Sequence, residues 1–137
     1  MKINEITQKL TPINNVKLAI YALKIVLPIF EDKYPNDDRP RKAIEASEAY
    51  VAKPCNETAT DAYTAATDAH ETSYAHETSV AAVYVAHAVV AANVAVDSAG
   101  VAVAAYVDSA YIASAMNITP LSKQSIFDYG LELIKNQ

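Results

Sequence analysis

Two glycines, Gly100 and Gly130, are all that 137 residues contain, and this scarcity constrains the fold more than any other feature. Sheets and tight hairpins draw on glycine wherever the backbone takes positive φ, whereas helix interiors exclude it because its freedom is lost on ordering. Hydrophobic residues make up 52% of the chain, yet mean hydropathy is only +0.05, because much of that fraction is alanine. A β reading of Val80 to Val107 is open on propensity and fails on pattern. Val80, Val83, Tyr84, His87, Val90 and Val94 keep helical spacing, and no turn glycines divide strands. The expectation is an all-α fold: a compact single-domain bundle of about five to seven helices with alanine-rich close packing. At residues 1–137 the chain fills one core and is too short for two.

Along the chain, residues 1–13 are polar and mixed, and read as a flexible arm or a short first helix. From about Asn15, the residues Val16, Ile20, Leu23, Leu27 and Phe30 make one apolar stripe of a helix. Pro28 lacks the amide that would bond the Lys24 carbonyl, so a kink or restart is expected there. A polar hinge follows, Tyr34-Pro35-Asn36-Asp37-Asp38-Arg39-Pro40-Arg41. Asp37 or Asp38 is placed to cap the next helix, which tolerates Pro40 in its first turn and has Ala43, Ile44, Ala46, Tyr50 and Val51 to bury. Lys53-Pro54-Cys55 ends it, and Asn56 is placed to cap its successor. Three alanine-rich helices are expected at roughly 57–71, 76–93 and 97–115, with interruptions near Thr72 to Thr78 and Asn93 to Asp97. The direct repeat of Ala69-His70-Glu71-Thr72-Ser73 at Ala75-His76-Glu77-Thr78-Ser79 has no structural period and reads as local duplication. Asn117-Ile118-Thr119-Pro120 breaks the pattern before a last helix at 121–135, carrying Phe127, Leu131 and Ile134. Inward alanines let helices approach closely, so leucine at Ala102 or Ala105 should overpack them.

A formal net charge of -5 argues against nucleic acid as a partner, since phosphate contacts need clustered lysine and arginine. An acidic surface suits a basic partner instead. A single cysteine, Cys55, excludes an internal disulfide framework and suits a reducing compartment, so a cytoplasmic location is expected. The N-terminus lacks the apolar run of a signal peptide. The least polar window, Val80 to Val96, carries His87 and Asn93 and is short for a membrane span, so no membrane association is expected. Asn56-Glu57-Thr58 and Asn117-Ile118-Thr119 match glycosylation sequons and, without a secretion signal, read as chance matches.

Candidate chemistry is sparse. His70, Tyr74 and Glu77 share a helical face and offer two metal ligands where a stable site needs three or four. His76 and His87 also share a face but stand about 16 Å apart along a continuous helix, too far for one ion. A polar site built from His70, His76 and His87 is therefore set against the plainer reading of hydrogen-bonded imidazoles at a helix junction. Asp61 and Asp68, two turns apart, lack the contrast of environment that acid/base catalysis needs and read as a solvated face. Cys55, just before a helix start, favours its thiolate without a histidine near it in sequence. No phosphate loop, dinucleotide fingerprint or serine elbow occurs. No catalytic residue, metal site or cofactor is assigned, and the chain is not expected to be an enzyme.

The hinge is the most specific stretch. Asp37, Asp38, Arg39, Pro40 and Arg41 combine capping carboxylates with guanidinium forks, and their ordinary use is a structural clamp between two helices. With Lys42-Ala43-Ile44-Glu45-Ala46 after it, the hinge resembles the signature of the Imm-5-like family, helical proteins regarded as immunity proteins of bacterial toxin systems. Val26-Leu27-Pro28-Ile29-Phe30-Glu31 is similar to that family's Val-Leu-Pro-Leu-Phe-Glu segment. Ala86-His87-Ala88-Val89 and Ala105-Tyr106 resemble its later Ala-His-Ala helices, so the likeness covers about residues 15–115. Relatives often carry a second histidine after Ala-Thr-Ala, where this chain has Ala91-Ala92-Asn93. The resemblance implies an immunity function by stoichiometric binding of a protein, a toxin. The acidic residues Asp61, Asp68, Glu71 and Glu77 are the partner-binding candidates, chosen on charge. Two rivals remain: a metal-dependent or enzymatic helical protein using His70, His76 and His87, and a structural, self-associating helical protein of phage origin. The oligomeric state is left open.

Overall fold

The computed structural model describes residues 3–70, 89, 92–93 and 120–137. These residues form helices and contain no strand. In chain order they are α1 (Ile3–Lys9), α2 (Pro12–Lys33), α3 (Arg39–Ala52), α4 (Asn56–His70) and α5 (Pro120–Asn136). The described residues thus hold four helices of 14 residues or more, fewer than the five to seven expected, beside the seven-residue α1. The helix expected at 97–115, most of that expected at 76–93, the direct repeat from Glu71 onward, and Ala102 and Ala105 lie outside the described residues.

Helix α2 is the central element. Its stripe Val16, Ile20, Leu23, Leu27 and Phe30 is buried as the spacing predicts, and Leu18, Ala19 and Ala22 widen the buried face. The helix begins three residues earlier than expected. Thr11 is its N-cap, and the Thr11 hydroxyl accepts from the Asn14 amide at 3.3 Å. Pro12 takes the first helical position, where a missing N–H costs nothing. The chain does not restart at Pro28, which sits exposed inside one continuous helix. Burial of Leu27 and Phe30 on either side of it offsets the lost backbone hydrogen bond. Among the described helices α2 alone is long and apolar enough to cross a membrane, but 62% of its most apolar window is buried inside the protein.

Helices α3 and α4 pack against each other, and α3 also packs on α2. On α3 the buried residues are Pro40, Ala43, Ile44, Ser47 and Tyr50. Ser47 is a polar group in this core, and its hydroxyl donates to the Ala43 carbonyl at 2.6 Å, so it is buried without an unmet hydrogen bond. Among the described side chains of α4 the buried ones are all alanine: Ala59, Ala62, Ala66 and Ala69.

Residues Ile3–Lys9 take the helical form of the two open to the N-terminal stretch. Ile6 is fully buried, and α1 packs on α5. The contact depends on Gly130, where an added Cβ would stand 2.7 Å from Ile6 Cγ2. Its burial turns α5 away from the expected face of Phe127, Leu131 and Ile134. Ile126 is fully buried, Phe127 and Ile134 are partly buried, and Leu131 is 43% exposed.

Candidate functional site

The hinge is built by three local devices. A turn closes with the Asp37 amide donating to the Tyr34 carbonyl at 3.1 Å, and Pro35 presets the second position of that turn. The rings of Phe30 and Tyr34 meet at 5.3 Å behind it. Asp37 then caps α3: its Oδ1 accepts from the Arg39 N–H at 3.2 Å. Arg39 returns a fork to the same carboxylate, with Nε donating to Oδ1 at 2.9 Å and Nη2 to Oδ2 at 2.6 Å. Asp38 occupies the N-cap position but makes no side-chain cap; its carboxylate pairs with Lys42 Nζ at 3.2 Å, in the open. Pro40 is buried beneath these groups.

The tie between helices falls to Arg41. Its Nε and Nη2 donate to the two carboxylate oxygens of Glu31, on α2, at 2.8 and 2.6 Å. That hydrogen-bonded fork holds the Glu31 carboxyl below its usual pKa and raises the guanidinium's own. A second ion pair, Lys24 Nζ to Glu48 at 3.1 Å, joins the same two helices. Glu31 was not among the site candidates, although it closes the Val26–Glu31 segment and stands ten residues before the arginine it meets. The shallow cleft at the hinge, about 500 Å³, is lined by Lys33, Tyr34, Pro35, Asn36, Asp37 and Arg39. Its two charged hinge residues already face each other.

On α4, Glu57, Asp61 and Asp68 are exposed, as is Tyr63 at 46%. No lysine or arginine occurs anywhere between Lys53 and Lys123, so this helix has no basic side chain of its own. Glu71, Glu77, His76 and His87 lie outside the described residues. So does the shared face of His70, Tyr74 and Glu77, because α4 is described only to the backbone of His70. Among the described residues no group of three potential ligands could hold a metal. The structure therefore gathers the hinge residues into one site and leaves Asp61 and Asp68 apart on α4.

Cys55 precedes α4 and is partly buried. Its Sγ lies 3.4 Å from the Thr58 hydroxyl, which bonds the Lys53 carbonyl at 2.7 Å. The Thr58 hydroxyl first, then the amides of Thr58 and Glu57 and the charge of Lys53, lower the thiol pKa against the opposing effect of burial. This is the favourable electrostatics of a helix N-terminus acting on a thiolate. Asn56, expected as the cap, uses its side-chain oxygen elsewhere and accepts from Asn93 Nδ2 at 2.9 Å.

A cleft of about 550 Å³ opens between α2, α3 and α5, lined by Ile20, Val51, Leu133 and the charged residues Lys17, Lys24, Glu48 and Glu132. Tyr21 and Tyr129 also line it, stacked at 4.3 Å, and the Tyr21 hydroxyl is hydrogen-bonded to Ser125. Burial pushes the Tyr129 phenol up, with Glu132 adding to the effect. Its two lysines and two carboxylates balance, so the cleft shows no preference for a ligand of either charge.

A family model described as "Imm-5 like putative immunity protein" matches residues 8–133. The chain belongs to the Imm-5-like family. No curated protein and no solved structure matches it. The Imm-5-like match extends beyond the 15–115 read from the sequence and takes in most of α5. In this Imm-5-like chain, the Asn93 side-chain amide ties residue 93 to Asn56 at the start of α4.

Proposed function

We propose that this Imm-5-like protein acts as an immunity protein: it binds a protein toxin stoichiometrically and blocks it by occupancy, without chemistry of its own. The observation that carries this reading is the exposed side of α4, where Glu57, Asp61 and Asp68 fall on one helical face, with Tyr63 exposed on another, in a stretch lacking any lysine or arginine. A uniformly acidic surface speeds encounter with a basic one, and an exposed tyrosine supplies the amphipathic anchor that protein interfaces favour. Membership of an immunity family supports a protein partner in general. On this reading the protein works in the cytoplasm, and the net charge of -5 disfavours nucleic acid.

Affinity capture tests it. Tagged protein and an Asp61→Lys/Asp68→Lys variant are incubated with extract of the source cells at low and moderate salt, and bound proteins are identified by mass spectrometry. The expected result is one stoichiometric partner, held by the native chain, weakened by salt and lost with the variant. A partner retained equally by the variant would remove α4 from the interface. A bound metal, or stable dimers that form without any partner, would favour the rivals.

A further inference from the structure

We propose that the side-chain amide of Gln137 is a latch that fastens α1 over an apolar slot, so that α1 opens as a unit while α2, α3 and α4 stay folded. This goes beyond the binding reading and does not depend on it. Helix α1 has seven residues, too few to persist in water without packing. Its apolar hold is Ile6, fully buried, with Leu10 nearby in the same core. Ile6 sits where a Cβ on residue 130 would lie, and Leu18 Cδ1 is 3.8 Å from that same point. The slot is thus walled by α5 and α2 and closed by one side chain.

The polar hold is concentrated in one group. Gln137 Nε2 donates to the Lys9 carbonyl at 2.6 Å, while its Oε1 accepts from the Thr11 N–H at 3.0 Å and from Asn14 Nδ2 at 2.9 Å. Lys9 ends α1 and Thr11 caps α2, so the amide serves backbone groups that helix ends leave without intrahelical partners. A carboxamide both donates and accepts, which a carboxylate cannot do. Asn14 is only 7% exposed, so release also strips a buried amide of a partner. Among the described groups of α1, opening therefore needs Ile6 to leave its slot and the Gln137 amide to let go. The ion pairs that hold α2 to α3 lie elsewhere, at Arg41–Glu31 and Lys24–Glu48.

Hydrogen exchange followed by mass spectrometry on the full chain tests the latch, comparing native protein with Gln137→Ala, Gln137→Glu and Gly130→Ala. Amides of residues 3–11 are expected to exchange at least about tenfold faster in Gln137→Ala, with those of 39–52 unchanged, the pattern of local opening. Gln137→Glu should act in the same direction, since it keeps acceptors and loses the donor to Lys9. Gly130→Ala, which forces Ile6 outward, should give the same selective pattern. Unchanged exchange at 3–11 in Gln137→Ala overturns the proposal. Equal acceleration in every helix overturns it too, because the amide would then support the whole fold. If Gly130→Ala fails to fold, the two Gln137 variants decide alone.

Discussion

The hinge arginines differ in what they hold, and that difference is measurable. Arg39 grips a carboxylate two residues away and so stiffens the start of α3, while Arg41 reaches Glu31 across two helices. Lysine cannot reproduce either fork. Thermal melts should show Arg41→Lys losing more than Arg39→Lys, both remaining helical; equal melting temperatures would remove the assigned difference. The Arg41 pair also has a pH signature. The Glu31 pKa is lowered in the folded state from the usual 4.5, so its stabilisation is present above that value and is lost as pH falls through the folded pKa. The gap in melting temperature between native protein and Arg41→Met should therefore hold from neutrality down and close only below 4.5. At Cys55 the lowered thiol pKa predicts that alkylation rate rises with pH at a lower midpoint than for an ordinary thiol. Thr58→Val, which removes the largest contribution, should move that midpoint upward.

Among elements, α2 was the most legible. Five apolar residues at helical spacing are all buried, because a long amphipathic stripe leaves a helix one orientation. The restart expected at Pro28 does not occur, because burial of Leu27 and Phe30 continues past its local cost. On α5, apolar spacing pointed to Phe127, Leu131 and Ile134, whereas the helix turns Gly130 inward. A pattern that counts large side chains cannot register an absence of one, and here that absence admits Ile6. The hinge was legible as a clamp but its partner Glu31 was not, since sequence spacing does not say which turn of α2 faces α3. For α4, the buried stripe of alanines makes a prediction. Ala62 is fully buried, and Ala62→Leu should overpack the core around it at a cost of about 1–3 kcal/mol. Denaturant melts measure it, and an unchanged midpoint would mean that space remains around this residue.

For the whole molecule, charge is divided along the chain. All 11 lysines and arginines lie at or before Lys53 or at or after Lys123, while Glu57, Asp61, Asp68, Glu71, Glu77, Asp97 and Asp108 fall between them. The modest net charge of -5 conceals this separation along the chain, and on the proposed reading a basic partner meeting α4 would face Glu57, Asp61 and Asp68 with no lysine or arginine on that helix. Association should slow steeply as salt is raised, with dissociation changing less; stopped-flow kinetics with the captured partner would show it. A salt-independent on-rate would place the interface away from α4. The stacked Tyr21 and Tyr129 have a further use at this scale. The chain has no tryptophan, so its near-ultraviolet circular dichroism comes chiefly from tyrosine, and two phenol rings fixed face to face couple their transitions. Separation of α5 from α2 would uncouple them. The native protein thus carries an optical gauge of its own assembly, readable without label or substitution.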